Sequence, residues 1–138
     1  MVEIIAIASG KGGVGKTTVV SNLGMALSSF GKSVVVVDCN FTNPHLSLYM
    51  GGFSYWPFTL NDVIRSEIEL EKAMYTHSSG LKIVPASFDI NDLRRTNMYT
   101  LRSKIRSVFE KHDADIVLLD SSPGLTKESI LTLRCSHK

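Results

Sequence analysis

Cysteine is scarce, long apolar runs are missing and net charge is close to zero. The two cysteines, Cys39 and Cys135, form no Cys-x-x-Cys pair, and no signal peptide precedes the first apolar run. A reducing cytoplasm is therefore the expected compartment. No apolar stretch approaches the roughly 20 residues needed to span a bilayer. A net charge of +2 is too small to point by itself to a nucleic-acid or polyanion partner. There is no internal repeat and no low-complexity tract. With 43% hydrophobic and 20% charged residues over 138 positions, the composition is that of a globular chain, and residues 1–138 are expected to form one domain with a moderate core.

The most informative stretch is Ser9-Gly10-Lys11-Gly12-Gly13-Val14-Gly15-Lys16-Thr17-Thr18. It follows the apolar run Ile4–Ala8 and opens an amphipathic stretch reaching Phe30, with Val19, Val20, Leu23, Ala26 and Leu27 expected on its packed side, so a Gly-rich turn joins a buried strand to a helix. Glycines let the backbone curl until successive N–H groups from about Gly12 to Thr18 point inward. Together with the positive helix N-terminus they suit a di- or triphosphate. Gly-x-x-x-x-Gly-Lys-Thr fits from Gly10 to Thr17, with Lys16 placed for the β- and γ-phosphates. The Thr17 hydroxyl is placed for Mg²⁺, and Thr18 for the α-phosphate. A strand-to-helix turn without a ligand would explain one or two glycines, but not a lysine and two threonines after four of them.

Downstream, Ser33–Asp38 reads as a second strand whose unbroken β-branched run signals burial on both faces, hence a parallel sheet. Strand, helix, strand make a right-handed βαβ unit that puts Asp38 on the same edge as the Gly-rich loop, within reach of the metal or its waters. Residues 39–57 read as a long loop with a short helix near Leu46 to Met50. For its aromatics Phe53, Tyr55, Trp56 and Phe58, packing under the loop and a partner-binding patch both stay open. Thr59 caps a helix with Leu60, Val63 and Ile64, and a short helix covers Glu69 to Met74. Leu81–Pro85 is a third strand, and Met98–Lys111 a helix with a core face. Arg94, Arg95, Arg102, Lys104 and Arg106 are either a solvated face or phosphate contacts to DNA. Ala114–Asp120 is a fourth strand whose terminal acid suits Mg²⁺, directly or through water. The loop after it puts the Gly124 amide in position to sense a γ-phosphate, and Thr126 or Lys127 starts a last helix.

Lys11 is not required by the ordinary phosphate-loop pattern. Lys-Gly-Gly-Val-Gly-Lys-Thr-Thr resembles the deviant Walker A motif of the MinD/ParA family. Four further blocks are similar to that family in the same order, closest to archaeal MinD-type ATPases: Val37–Leu48, Thr59–Ile64, Leu81–Ser87 and Ile116–Leu125. The resemblance implies an α/β, P-loop NTPase three-layer fold with a mainly parallel sheet, of which the chain supplies the N-terminal part. It implies ATP and Mg²⁺ as ligands, with Lys11 reaching a partner's nucleotide in an ATP-dependent homodimer. It also implies slow hydrolysis, with Lys11, Lys16, Asp38 and Asn40 as the catalytic set and Thr17, Asp38 and Asp120 at the metal. The family's Asp-x-Asp is here Asp38-Cys39-Asn40, so an amide replaces the acid linked to positioning water. A positional switch in cell division or cargo placement is the implied role, on a membrane surface or with a regulator protein. An ATP-binding module without turnover, a P-loop kinase and a ParA-like DNA-partition ATPase are the alternatives. The strands and amphipathic helix with which family members continue are missing from the sequence. The Ile4–Ala8 strand is therefore expected to present an unpaired edge that favours association.

Overall fold

The computed structural model describes residues 1–51 and 56–138. Phe53 and Tyr55 lie outside them. The elements run β1 (Glu3–Ile7), α1 (Lys16–Ser29), β2 (Val34–Cys39), α2 (Leu46–Tyr49), α3 (Leu60–Ile64), a 3₁₀ turn (Leu70–Ala73), β3 (Tyr75–Thr76) and β4 (Lys82–Val84). There follow α4 (Ile90–Arg95), a second 3₁₀ turn (Met98–Thr100), α5 (Leu101–Phe109), β5 (Ile116–Ser121) and α6 (Lys127–Leu133).

The strands form one sheet in the order β1-β5-β2-β4-β3. Every pairing is parallel except β3 with β4. Asp38 lies beside Asp120, and Ile7 beside Asp120 on the other side, so the chain leaves β1, β2 and β5 on one carboxyl edge. This is the α/β, mainly parallel three-layer arrangement of a P-loop NTPase.

Alternation along the strands divides the core. Val34, Val36 and Leu118 meet Val20 of α1 and Leu46 of α2 on one face. Val35, Val37, Val117 and Leu119 meet Leu60, Leu101, Ile105 and Phe109 on the other. β2 is buried along its whole length, as a strand covered on both faces must be.

Four expectations are corrected. Among the described residues the sheet has five strands rather than four, because the two-residue β3 is too short to leave an alternating pattern. The helix α4, which the sequence pattern did not disclose, has no buried residue and is marked only by Asp89, whose side chain accepts from Asn91 N–H. The face expected for α1, Val19, Val20, Leu23, Ala26 and Leu27, is only partly the packed one: Val20 is buried and Leu27 packs against the core, whereas Val19, Leu23 and Ala26 are exposed and the buried stripe runs instead through Ser21 and Gly24. The cause is Gly24: a Cβ there would stand 2.8 Å from Val36 Cγ1, so the missing side chain lets the helix backbone close on the sheet. Lastly, β1 is not bare, since Ala6 N–H donates to the Lys138 carbonyl at 2.9 Å and Ile4 N–H to His137 Nδ1 at 3.0 Å.

Trp56 packs on Tyr75 with ring centroids 4.4 Å apart, which is the packing alternative for that aromatic. Of the basic residues, Arg95 pairs with Glu67 at 2.9 Å, Lys104 bonds Ser66 Oγ, and Arg106 donates to the Ser136 carbonyl at 2.8 Å. These side chains are spent within the chain rather than arrayed on one free face.

Candidate functional site

The loop from Ser9 to Gly15 delivers the chain from the tip of β1 into α1. Gly15 is the residue before the helix and adopts φ +96°, a left-handed conformation that a side chain would strain. No side chain caps α1 and its first turn holds no acid. Its N-terminal amides and dipole therefore face a cavity of about 320 Å³. It is lined by Gly13, Lys16, Thr17 and Thr18 from the Gly-rich loop and α1, by Asn40, Asn43 and His45 from the loop after β2, and by Ser121 and Pro123 from the end of β5 and the loop that follows it.

Thr17, which lines this cavity, donates through Oγ1 to Asp120 Oδ2 at 2.7 Å, and Asp120 itself is buried behind it rather than in the lining. The other carboxylate oxygen, Asp120 Oδ1, is buried without a hydrogen-bond partner among the described residues. A hydroxyl and an orphaned carboxylate oxygen beside an anion-binding helix terminus are the hard donors that Mg²⁺ takes, so the residues fit that ion. Lys16 Nζ donates to Ser9 Oγ at 3.1 Å, which holds its ammonium over the loop. Burial raises the Asp120 carboxyl above its ordinary value, opposed by the Thr17 hydrogen bond and by the charges of Lys16 and His45.

Asp38 is placed differently from Asp120. It is wholly buried, and its two oxygens accept from Asn40 N–H at 3.0 Å and Leu46 N–H at 3.1 Å. Burial, and then the neighbouring Asp120 charge, push its carboxyl up to about 8. In this geometry Asp38 anchors the Asn40 loop and the start of α2, one layer behind the cavity. Asn40 lines the cavity, with Oδ1 buried and unpartnered. Gly124 does not offer a free amide: its N–H donates to the Ser9 carbonyl at 3.1 Å, tying the loop after β5 to the start of the Gly-rich loop. Gly10, Lys11, Gly12 and Val14 are exposed at the mouth, and Lys11 is not part of the cavity wall. His45 and Tyr49 line the cavity without having been expected there. His45 is held by its Nδ1 contact to the Asn43 carbonyl at 2.9 Å, and the Asn-Pro-His run of the loop is the one sequence cue to it.

A family model described as an AAA domain matches residues 2–137. The chain belongs to this family, among its MinD/ParA-type ATP-binding members. It is 37% identical over 134 residues to an uncharacterized ATP-binding protein of Methanocaldococcus jannaschii, covering 96% of this chain and 49% of that one. To the septum site-determining protein MinD of Synechocystis it is 33% identical over 127 residues, covering 91% of this chain and 46% of that one. The fold is similar to the structure of MinD from Pyrococcus horikoshii complexed with Mg-ADP. There the TM-score is 0.89 and the identity 34%, covering 99% of this chain and 55% of that one. The chain thus spans about half the length of the curated MinD/ParA-type relatives it matches.

Proposed function

We propose that the chain binds Mg-ATP in the cavity above α1, hydrolyses it slowly to ADP and phosphate, and uses the nucleotide state to control pairing with a second copy. The observation that carries this is the Thr17–Asp120 pair with its free Oδ1 at the uncapped start of α1. The Mg-ADP held by the Pyrococcus MinD supports the same ligand class. Thr17 and Asp120 would hold Mg²⁺, which would supply charge neutralisation to the phosphates. Lys16 leaves Ser9 for the β- and γ-oxygens, and the α1 amides bind the phosphate chain.

Asn40 sets the rate. Its side chain can orient a water by hydrogen bonds but cannot accept the water's proton as a carboxylate would, and general-base help is typically worth about a hundredfold or more. Lys11, exposed at the mouth and outside the cavity wall, is free to reach the nucleotide of a facing chain. The pairing would serve as a positional switch in the cytoplasm, in division-site or cargo placement, on a membrane surface or with a regulator. Residues 1–138 act as the N-terminal part of the family domain in this scheme.

Calorimetry with Mg-ATP, followed by product analysis, tests the proposal. Binding with release of ADP and phosphate supports it, and a phosphorylated acceptor would replace it with a kinase. The specific alternative, a binding module without turnover, is favoured by Asn40, and single-turnover phosphate release separates the two.

A further inference from the structure

Glu128 is the second residue of α6, immediately beyond the loop that follows Asp120. Its half-buried carboxylate is turned toward the loop after β2. Oε1 accepts the Phe41 N–H and, at 3.3 Å, the Thr42 N–H, while Oε2 accepts the Thr42 hydroxyl at 3.1 Å. These donors follow Asn40 directly, in a loop that has few other backbone bonds of its own. Drawing the carboxyl from water raises its proton affinity, and the bonds from Phe41 and Thr42 oppose that rise. At the other end of the same segment, Ser129 Oγ donates to the Gly124 carbonyl at 2.7 Å, and the Gly124 N–H donates to Ser9 at 3.1 Å. A continuous set of bonds thus runs from the Gly-rich loop, through the loop after β5 and the first turn of α6, to the Asn40 wall of the cavity.

We infer that Glu128 is a positioning residue that clamps residues 40–43 to α6, so that the Asn40 wall and the loop at 121–126 move as one body. This rests on the nucleotide reading of the cavity for its purpose, though not for its geometry. A displacement of the 121–126 loop by a bound phosphate is then passed to Asn40 through the Glu128 carboxylate rather than through the sheet. Local opening of such a loop is governed by the few bonds that hold it, and amide exchange reads those bonds directly.

The test is amide hydrogen exchange on the full chain, alone and with Mg-ADP, in the parent, Glu128→Ala, Glu128→Gln and Thr42→Val. In the ligand-free chain, Glu128→Ala should speed exchange of the Phe41 and Thr42 amides by roughly ten- to a hundredfold while the β5 amides keep their protection. Glu128→Gln retains an oxygen for those amides and should restore much of the protection. A residue acting only through its charge on the α6 dipole would lose as much with Gln as with Ala. Thr42→Val, which removes one rung, should fall between parent and Ala. With Mg-ADP, the parent should change exchange in 40–43 and 121–126 together, and Glu128→Ala in 121–126 alone. Unchanged Phe41 and Thr42 exchange in Glu128→Ala, or joint changes that persist without the carboxylate, would overturn the inference. If calorimetry shows no Mg-ADP binding by the parent, the nucleotide reading fails, while the ligand-free exchange still decides the clamp.

Discussion

The Thr17 hydroxyl at the start of α1 donates to the Asp120 carboxylate at the tip of β5, 2.7 Å away across 103 positions of sequence. The Thr17 side chain makes no capping bond to the helix, and Asp120 Oδ1 has no hydrogen-bond partner among the described residues. Asp120→Asn should therefore weaken the Mg²⁺-dependent part of ATP affinity by about 10- to 100-fold and leave Mg²⁺-free binding nearly unchanged. Titrations with and without EDTA measure the two parts. Equal losses in both would mean that Asp120 supports the fold and not the metal.

The two lysines of the loop should separate by experiment. Lys16 is held over the cavity by Ser9, whereas Lys11 is exposed at its mouth. Lys16→Ala should lower Mg-ATP affinity by roughly 100-fold or more, the equivalent of about 3 kcal/mol for charge-assisted bonds to phosphate. Lys11→Ala should leave that affinity almost intact and weaken self-association with a non-hydrolysable ATP analogue, followed by sedimentation. Normal sedimentation of the Lys11 variant would remove the shared-site scheme.

Stability should fall as pH rises in the absence of metal. The Asp38 carboxyl goes from an ordinary value of 3.8 to about 8 on folding, by burial first and the Asp120 charge second. Asp120 and Glu128 are raised by burial as well. A raised carboxyl keeps its proton in the folded chain where the unfolded chain has released it. Its stabilising contribution is therefore complete below the unfolded value and is lost as pH climbs toward 8. Urea midpoints should drop between about pH 5 and pH 8. Asp38→Asn should flatten much of that slope, and saturating Mg²⁺ should reduce it by offsetting the repulsion between the two acids. A midpoint that rises over this range would mean that Asp38 is ionised in the folded chain.

What the sequence disclosed follows from how much side-chain pattern each element needs. β1, β2 and β5 are apolar runs buried on both faces, and the Gly-Lys-Thr spacing located the loop between β1 and α1. For α1 the apolar pattern was right at Val20 and Leu27 and wrong at Val19, Leu23 and Ala26, which are exposed. The packed stripe runs through Gly24, whose contribution is the absence of a side chain. Asp38 was placed on the correct edge, but its orientation depends on two backbone donors that no residue pattern encodes. The same holds for Gly124, whose amide is taken by the Ser9 carbonyl. His45 and Glu128 were missed because their roles come from loop geometry across 80 or more positions in one case and from a bend within the Asn43–Leu46 turn in the other.

Gly24 gives a direct test of the α1 packing. A Cβ there would meet Val36 Cγ1 at 2.8 Å and both Leu81 methyls at 3.2 Å. Gly24→Ala should destabilise by about 1–3 kcal/mol despite alanine's better helix propensity, since overpacking outweighs the propensity gain. Gly24→Val should cost more. If Gly24→Ala raises the urea midpoint, the helix stands farther from β2 than these contacts require.

The edge of β1 carries the final test. Ile4 and Ala6 are satisfied there by His137 and Lys138, and Lys138 also pairs with Glu3. Val19 and Leu23 of α1, and Phe30 just after it, are 48%, 37% and 84% exposed, at the spacing of one helical stripe. Removing residues 137–138 unpairs backbone groups on β1 while the apolar stripe of α1 remains exposed. Each lost bond is worth about 1 kcal/mol, so the urea midpoint should fall and concentration-dependent association should rise, as for any uncovered edge. Leu23→Glu in the shortened chain distinguishes the two surfaces. If association persists with the glutamate, the strand edge drives it. If the glutamate abolishes association, the α1 stripe does. A shortened chain that stays monodisperse and equally stable would show that the two terminal residues protect nothing.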